Sequence, residues 1–297
     1  MTEQPLVSIL ILTWNRRDDC LKSIDSARAQ TYPNTEIVLV DNDSPDGTAA
    51  AVRERYPGVR LIRSHKNLGC PSGRNLGFAN CRGKYVYLLD DDGWLKEDAI
   101  EIVVRRAEQD EGLAAVMSRI HEVEGDRLVQ TFPPGHDEPA QLHWFIGCCT
   151  LLRRSVLEEV GYFPDDFFRQ GEESDLSLRI LNAGYRIELE PGSIMYHAPS
   201  PVGRSLKAFR FYMNRNMIKT ALRIWPFPEM LWRVWTCLMR SAKYSVVHRS
   251  PGFLLSLLGA FVKDVVTLPR ARRPVSHKAL ETYRRLEKAY WKVVRSA

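Results

Sequence analysis

Three short apolar runs end abruptly in polar residues. Val7-Ser-Ile-Leu-Ile-Leu12 gives way to Thr13-Trp14-Asn15-Arg16, Glu36-Ile-Val-Leu-Val40 to Asp41-Asn42-Asp43-Ser44, and Tyr85-Val-Tyr-Leu-Leu89 to Asp90-Asp91-Asp92. Apolar, β-branched runs of this length, bounded by turn-forming residues, read as buried strands. Residues 59–63 and 113–118 read as further strands. Residues 18–30 carry Leu21, Ile24 and Ala27 at helical spacing, and residues 46–56, 72–81 and 96–109 also read as helices. Strands alternating with helices predict an α/β fold: a Rossmann-like, mostly parallel sheet with helices on both faces. Ligands of such sheets bind outside the carboxyl ends of the strands. All three polar clusters are therefore expected on one sheet edge.

The second half is less regular. Residues 122–130, with Gly125-Asp126 inside, read as a hairpin, and residues 145–152 are apolar. Residues 172–183 read as a helix stopped by Gly184. Beyond His197 the pattern is helical and aromatic. At 297 residues, 44% hydrophobic and 26% charged, the chain can bury one large folded body and carry an appendage. The expected division is residues 1–203 as the α/β body and residues 204–297 as a basic, aromatic-rich helical extension.

Charge follows the same division. Residues 201–297 hold 20 Lys and Arg against 4 Asp and Glu. The whole chain holds 42 and 36, which leaves 22 and 32 for residues 1–200. An acidic body thus carries a basic tail, and such a tail calls for an anionic partner. The six cysteines form no C-x-x-C pair, so free thiols in a reducing compartment are expected. Residues 1–6 lack the blocks of a signal peptide, which points to the cytoplasm.

Asp90-Asp91-Asp92 is the sharpest chemical feature. Carboxylates crowded at a strand end repel one another unless a cation relieves them. Oxygen ligands suit Mg²⁺ or Mn²⁺, which commonly bridge carboxylates to substrate phosphates. The bland alternative is a solvated acidic loop ahead of the helix at residue 96. Asp41-Asn42-Asp43-Ser44 offers donors and acceptors for a base or ribose, and equally an Asx-rich turn. No G-x-G-x-x-G follows the first strand, and no P-loop or G-x-S-x-G elbow is present. Phosphate binding would then fall to a metal and cationic side chains.

These residues carry a resemblance. The chain resembles the family-2 glycosyltransferases of GT-A fold. The matching motifs are the strand with T-x-N-R at Thr13–Arg16, V-L-V-D-N-D-S-x-D at residues 38–46, and Asn67-Leu-Gly69 with Gly73-Arg74-Asn75-x-Gly77. They continue with L-L-D-D-D at residues 88–92, the segment 147–161, F-F-R-Q-G-E-E-S-D-L-S-L-R at residues 167–179, and His197. Tyr-Met-Asn-Arg-Asn at residues 212–216 resembles the rhamnosyltransferase-like branch. The similarity spans about residues 6–220, and the order and spacing of the motifs are more specific than any one of them.

The resemblance implies a role for each position. Thr13, Asn15, Arg16, Asp41 and Asn42 would line the nucleoside pocket. Asn67 and Arg74 would lie near the base, ribose or diphosphate. Asp90 and Asp92 form the D-x-D pair, with Asp92 ahead of Asp90 as direct metal ligand and His197 completing the metal site. Asp91 joins the donor-binding set without a role of its own. The family usually has Glu-Asp where this chain has Glu172-Glu173, so the general base is Glu173 by position, with Glu172 second. The implied reaction is an inverting displacement on a UDP- or dTDP-sugar, assisted by Mn²⁺ or Mg²⁺. The acceptor would be a hydroxyl of a glycan or lipid-linked molecule in cell-surface polysaccharide synthesis.

Two other classes compete. A sugar nucleotidyltransferase would need a Gly-rich basic loop after the first strand, and Thr13-Trp14-Asn15-Arg16 is not one. A non-catalytic binder of nucleotide sugars or nucleic acid finds support only in the basic tail, and no nucleic-acid motif is present. The tail carries Trp225, Trp232, Trp235 and Trp291 among Arg and Lys. Basic, aromatic, amphipathic helices suit an anionic membrane surface, so peripheral attachment at the cytoplasmic face is expected. Helices packed on the body with a solvated basic face are the alternative. The apolar stretch 253–268 is interrupted by Lys263-Asp264 and is short for a membrane span.

Overall fold

The structure is a computed structural model that describes residues 4–125, 127–202, 205–267 and 272–296. The first half alternates as its sequence predicts. Strands β1 (Val7–Thr13), β2 (Thr35–Asp41), β3 (Arg60–Arg63) and β4 (Tyr85–Asp90) are separated by helices α1 (Arg17–Arg28), α2 (Thr48–Arg55) and α3 (Cys70–Phe78). They pair in parallel, in the order β3-β2-β1-β4. β1 and β4 are buried along nearly their whole length, which explains their unbroken apolar runs.

The remaining strands widen the sheet and mix its direction. They are β5 (Gly93–Leu95), β6 (Leu113–Glu124), β7 (Arg127–Phe132), β8 (Ala140–Leu142), β9 (Cys149–Arg153) and β10 (Arg186–His197). The sheet continues β4-β9-β6-β10-β5, with β9 antiparallel to both neighbours and β6 parallel to β10. β6 and β7 form the expected hairpin, although Asp126 of its turn lies outside the described residues. Helix α4 (Ala99–Glu108) buries Ile100, Val103, Val104 and Ala107 on one face and turns Glu101 and Arg105 outward, as its spacing requires. Helices α5 (Arg154–Val160) and α6 (Glu172–Asn182) follow β9.

Four helices close the chain: α7 (Leu206–Ile224), α8 (Glu229–Val247), α9 (Pro251–Thr267) and α10 (His277–Ser296). The expected boundary at 203/204 and the end of the apolar stretch at 268 lie outside the described residues. The helices pack on the α/β part. Their apolar faces share a cluster with Leu178 and Leu181 of α6, and Tyr290 of α10 joins the main core. Among the described residues no helix is long and apolar enough to cross a membrane.

Candidate active site

The polar clusters meet where β1, β2 and β4 end. The register sets Thr13 beside Asp41 and Leu12 beside Asp90. Asp41 is wholly buried. One of its oxygens accepts from the Ser44 backbone N–H at 2.8 Å, and Ser44 Oγ accepts from the Asn15 backbone N–H at 2.9 Å. The other oxygen makes no hydrogen bond among the described residues and faces Arg63 Nε at 3.7 Å. Such an oxygen has capacity for a donor from outside the chain. Asn15, Asp43 and Gln170 all have positive φ, at 54°, 70° and 63°. Left-handed backbone at non-glycine residues is costly and gathers at functional loops.

Asn42 and Asn67 shape the loop ahead of α3. Asn42 accepts from the Leu68 N–H at 2.9 Å and donates to Asn67 Oδ1 and the Gly69 carbonyl at 3.1 and 3.2 Å. Asn67 also accepts from the Gly69 N–H at 2.9 Å. Gly69 itself has φ +81°, and a Cβ there would meet the Phe168 carbonyl oxygen at 2.2 Å. The donor-side loop is therefore seated directly on the segment that leads into α6.

Asp90, Asp92 and His197 each bring a ligand atom to within 4.8 Å of the others. His197 Nε2 lies 3.2 Å from Asp92 Oδ1, and Nδ1 lies 3.7 Å from Glu122 Oε1. Two carboxylates and an imidazole are a donor set for a divalent cation, and a carboxylate behind the imidazole is its usual orienting partner. The residues present thus fit a Mn²⁺ or Mg²⁺ ion. Burial opposes ionisation of Asp92. The hydrogen bond and charge of His197, with Arg16 and the Ser200 N–H, outweigh it and hold the carboxyl below the ordinary range. Asp91 shares Arg16 but has no histidine partner among the described residues, and its burial, with the charges of Asp92 and Asp90, pushes it up to about 7 despite Arg16.

Arg16 stands over this cluster. Its Nη1 bonds Asp91 at 2.8 Å and Asp92 at 3.1 Å, and its Nη2 donates to the Val202 carbonyl at 3.0 Å. Arg74, buried in α3, links the cluster to the other wall. Its Nη2 donates to Asp90 at 2.7 Å, while Nη1 lies 3.5 Å from Glu172 and 3.8 Å from Glu173.

Glu172 and Glu173 open α6, where the helix dipole favours carboxylates. The two are not equivalent. The Glu172 side chain is 3% exposed and that of Glu173 21%. Burial, then the neighbouring charge of Glu173, pushes Glu172 up to about 8. Burial also raises Glu173, against the pull of Arg74 and of the Gly147 N–H at 3.3 Å. Asp175 bonds Arg179 at 2.8 Å, and Arg179 also donates to the carbonyls of Val160, Gly161 and Tyr162. That pair anchors the helix, the plain reading of its spacing. Trp94 lies beneath Lys22 Nζ and stacks on Tyr196. Trp144 packs edge-on to Phe132 and Tyr290.

Strand register and side-chain contacts thus gather the sequence-predicted residues at one edge of the sheet. Glu122, Gly147 and Ser200 join them without having been anticipated. Strand register delivers Glu122 to His197, since β10 and β6 pair them directly. No local signal marks it.

Comparison with known proteins agrees with this geometry. The family model "Glycosyl transferase family 2" matches residues 8–161, and "Glycosyl transferase family group 2" matches residues 116–265. The succinoglycan biosynthesis protein ExoO of Rhizobium meliloti is 30% identical over 211 residues, 65% of this chain and 61% of that protein. Chondroitin synthase of Escherichia coli is 37% identical over 115 residues, 38% of this chain and only 17% of the synthase. The chain therefore spans less than two thirds of either relative. The mannosyltransferase PcManGT of Pyrobaculum calidifontis, solved with GDP-Man and Mn²⁺, covers 99% of this chain and 87% of its own, with a TM-score of 0.61 at 20% identity. The shared architecture is the GT-A fold. By its family match and its fold, this chain is a member of glycosyl transferase family 2.

Proposed function

We propose that the chain is a metal-dependent, inverting glycosyltransferase. It moves a sugar from a UDP- or dTDP-linked donor to a hydroxyl of a glycan or lipid-linked acceptor in cell-surface polysaccharide synthesis, at the cytoplasmic face of a membrane. One observation supports the reading: Arg74 contacts Asp90, a member of the Asp90–Asp92–His197 group, through one end of its guanidinium and lies near Glu172 and Glu173 at the other. The ExoO protein, named for succinoglycan biosynthesis, supports the pathway class.

Asp90, Asp92 and His197 would hold the cation, and Glu122 would orient the imidazole. When bound, Mn²⁺ or Mg²⁺ supplies charge neutralisation for a departing diphosphate. Thr13, Asn15, Asp41 and Asn42 form the nucleoside side of the cleft, with Asp41 Oδ2 available to a ribose or base donor. Asn67 shapes the loop at that side, Arg16 and Asp91 border it, and Arg74 keeps its charge next to the donor phosphates. Glu173 is assigned as the base, supported by its greater side-chain exposure, 21% against 3% for Glu172. Its Oε takes the acceptor hydroxyl proton as that oxygen bonds to the anomeric carbon. The anomeric carbon–phosphate oxygen bond breaks in the same step, and the nucleoside diphosphate leaves with the electron pair.

Thermal unfolding with a panel of nucleotide sugars, each with and without Mn²⁺, tests the donor site. Stabilisation by one or more uridine or thymidine diphosphate sugars that requires the metal is expected. Stabilisation by no nucleotide sugar in either condition refutes the reading.

A further inference from the structure

Helices α8 and α9 pack on each other and on α7, yet their outward faces are apolar. Trp232 is 66% exposed, Leu255 68% and Val266 73%, and Trp235, Met239 and Val262 are exposed with them. Burying such side chains is favourable, so leaving this many in water on two adjacent helices marks an interaction surface.

Charge decides what covers it. From Met230 to Thr267 the acidic residues number one, Asp264, which is 3% exposed and paired with Arg215 at 3.1 Å. The exposed ionic side chains of that stretch, Arg240, Lys243, Arg249 and Lys263, are all cationic. The nearby acidic groups, Glu229, Asp264 and Glu287, are each paired with an arginine. Exposed tryptophans among apolar side chains, with cations unpaired among the described residues, therefore match an anionic lipid surface: rings at the headgroup level, aliphatic groups below, cations at the phosphates.

The same helices are tied to the base-bearing segment. Arg215 of α7 grips Asp264 of α9, and the next residue but three, Lys219, bonds Asp166 at 2.8 Å. Asn216 donates to the carbonyls of Arg169 and Gln170 at 2.8 and 2.7 Å, immediately before Glu172. A surface seated on α8 and α9 is thereby fixed relative to the acceptor side of the cleft.

We infer that the outward face of the α8–α9 pair docks the protein on an anionic membrane and presents Glu173 to an acceptor carried there. The inference rests on the lipid-linked acceptor reading for its purpose, while docking itself is measured without any acceptor. The test is co-sedimentation of the full chain with phosphatidylglycerol-containing and pure phosphatidylcholine vesicles at low and high salt. Wild type is compared with Trp232→Glu/Trp235→Glu and, independently, with Arg240→Gln/Lys243→Gln. Metal-dependent stabilisation by a nucleotide sugar is followed in parallel as the readout of the donor site, and it should be equal in all three proteins.

Salt-sensitive binding to the anionic vesicles is expected, lowered about tenfold or more in each variant, since each cation near the surface contributes about fivefold. Binding by both variants at the wild-type level overturns the inference, as does failure of the wild type to bind anionic vesicles or its equal binding to neutral ones. Burial of Trp232 and Trp235 in a lipid-free dimer or an acidic protein complex, with no vesicle binding, also overturns it. Loss of the donor effect in wild type with vesicle binding intact would instead strike the transferase reading.

Discussion

At the scale of single residues, the cleft turns on two adjacent glutamates with different surroundings. Glu173 keeps a partly exposed side chain, and Glu172 is sealed beside Arg74. Glu173→Gln should lower kcat by about 10²–10⁴-fold, the usual share of a general base, with the donor KM little changed. Steady-state transfer measured against donor concentration checks this. Glu172 yields a stability prediction. Its folded pKa is raised to about 8 by burial and the neighbouring charge. The unfolded chain releases that proton near the ordinary glutamate value, so stability present below that value is lost as pH rises toward 8. Glu172→Gln removes the titration, and its melting temperature should fall less than that of wild type between pH 5 and pH 8. Equal falls in both proteins would refute the burial argument. The motifs made both glutamates visible in the sequence, but which one reaches the cleft depends on packing around Arg74. Gly147 was hidden for the same reason: a Cβ there would lie 2.3 Å from Arg74 Nη1 and 2.8 Å from Glu173 Oε1.

At the scale of elements, the legible part is the βαβ half. β1, β2 and β4 are apolar runs long enough to announce themselves, and each ends at the cleft. β5 is three residues long and carries no period. β10 is broken between Glu190 and Ile194, where Pro191-Gly192 interrupts its pairing with β6. Arg186-Ile-Glu-Leu-Glu190 alternates as a strand should, but Pro191-Gly192 reads as its end, so the sequence does not mark the continuation that bears His197. β9 was seen as an apolar run, but its direction follows from its partners. The elements also explain how the two walls of the cleft keep their spacing. Cys70 N–H donates to the Phe168 carbonyl at 2.8 Å, next to Gly69 with its positive φ. Gly69→Ala would both strain the backbone, by on the order of 1–3 kcal/mol, and drive a Cβ into that carbonyl. A lowered melting temperature and a lowered kcat are expected together, because the displaced segment leads to Glu173. A variant with wild-type activity would show that the two walls are not coupled through this contact.

At the scale of the whole molecule, composition divides the chain into an acidic body and a basic tail. The packing joins them. Tyr290, near the end of the chain, is buried against His136, His143 and Trp144 of the body, and Tyr283 meets His143 and Trp225. His143 is held neutral by this arrangement, since burial and then the Arg233 charge lower it to about 4. A helix that supplies core residues to the body cannot unfold independently of it, because its loss exposes apolar surface on both sides. Tyr290→Ala removes an aromatic ring from a filled site, which in comparable cores costs about 3–5 kcal/mol. Unfolding followed at once by far-UV circular dichroism and by tryptophan fluorescence should give one coincident transition in the wild type. In the variant that transition should move several degrees lower and stay single. Of the seven tryptophans, Trp232, Trp235 and Trp291 lie on the C-terminal helices and Trp225 directly follows α7, so fluorescence weights that region while circular dichroism reports on the whole chain. Two separated transitions in the wild type would mean that the C-terminal helices form their own cooperative unit. Tyr290 would then be a surface contact, and the fixed relation between the α8–α9 face and Glu173 would lose one of its supports.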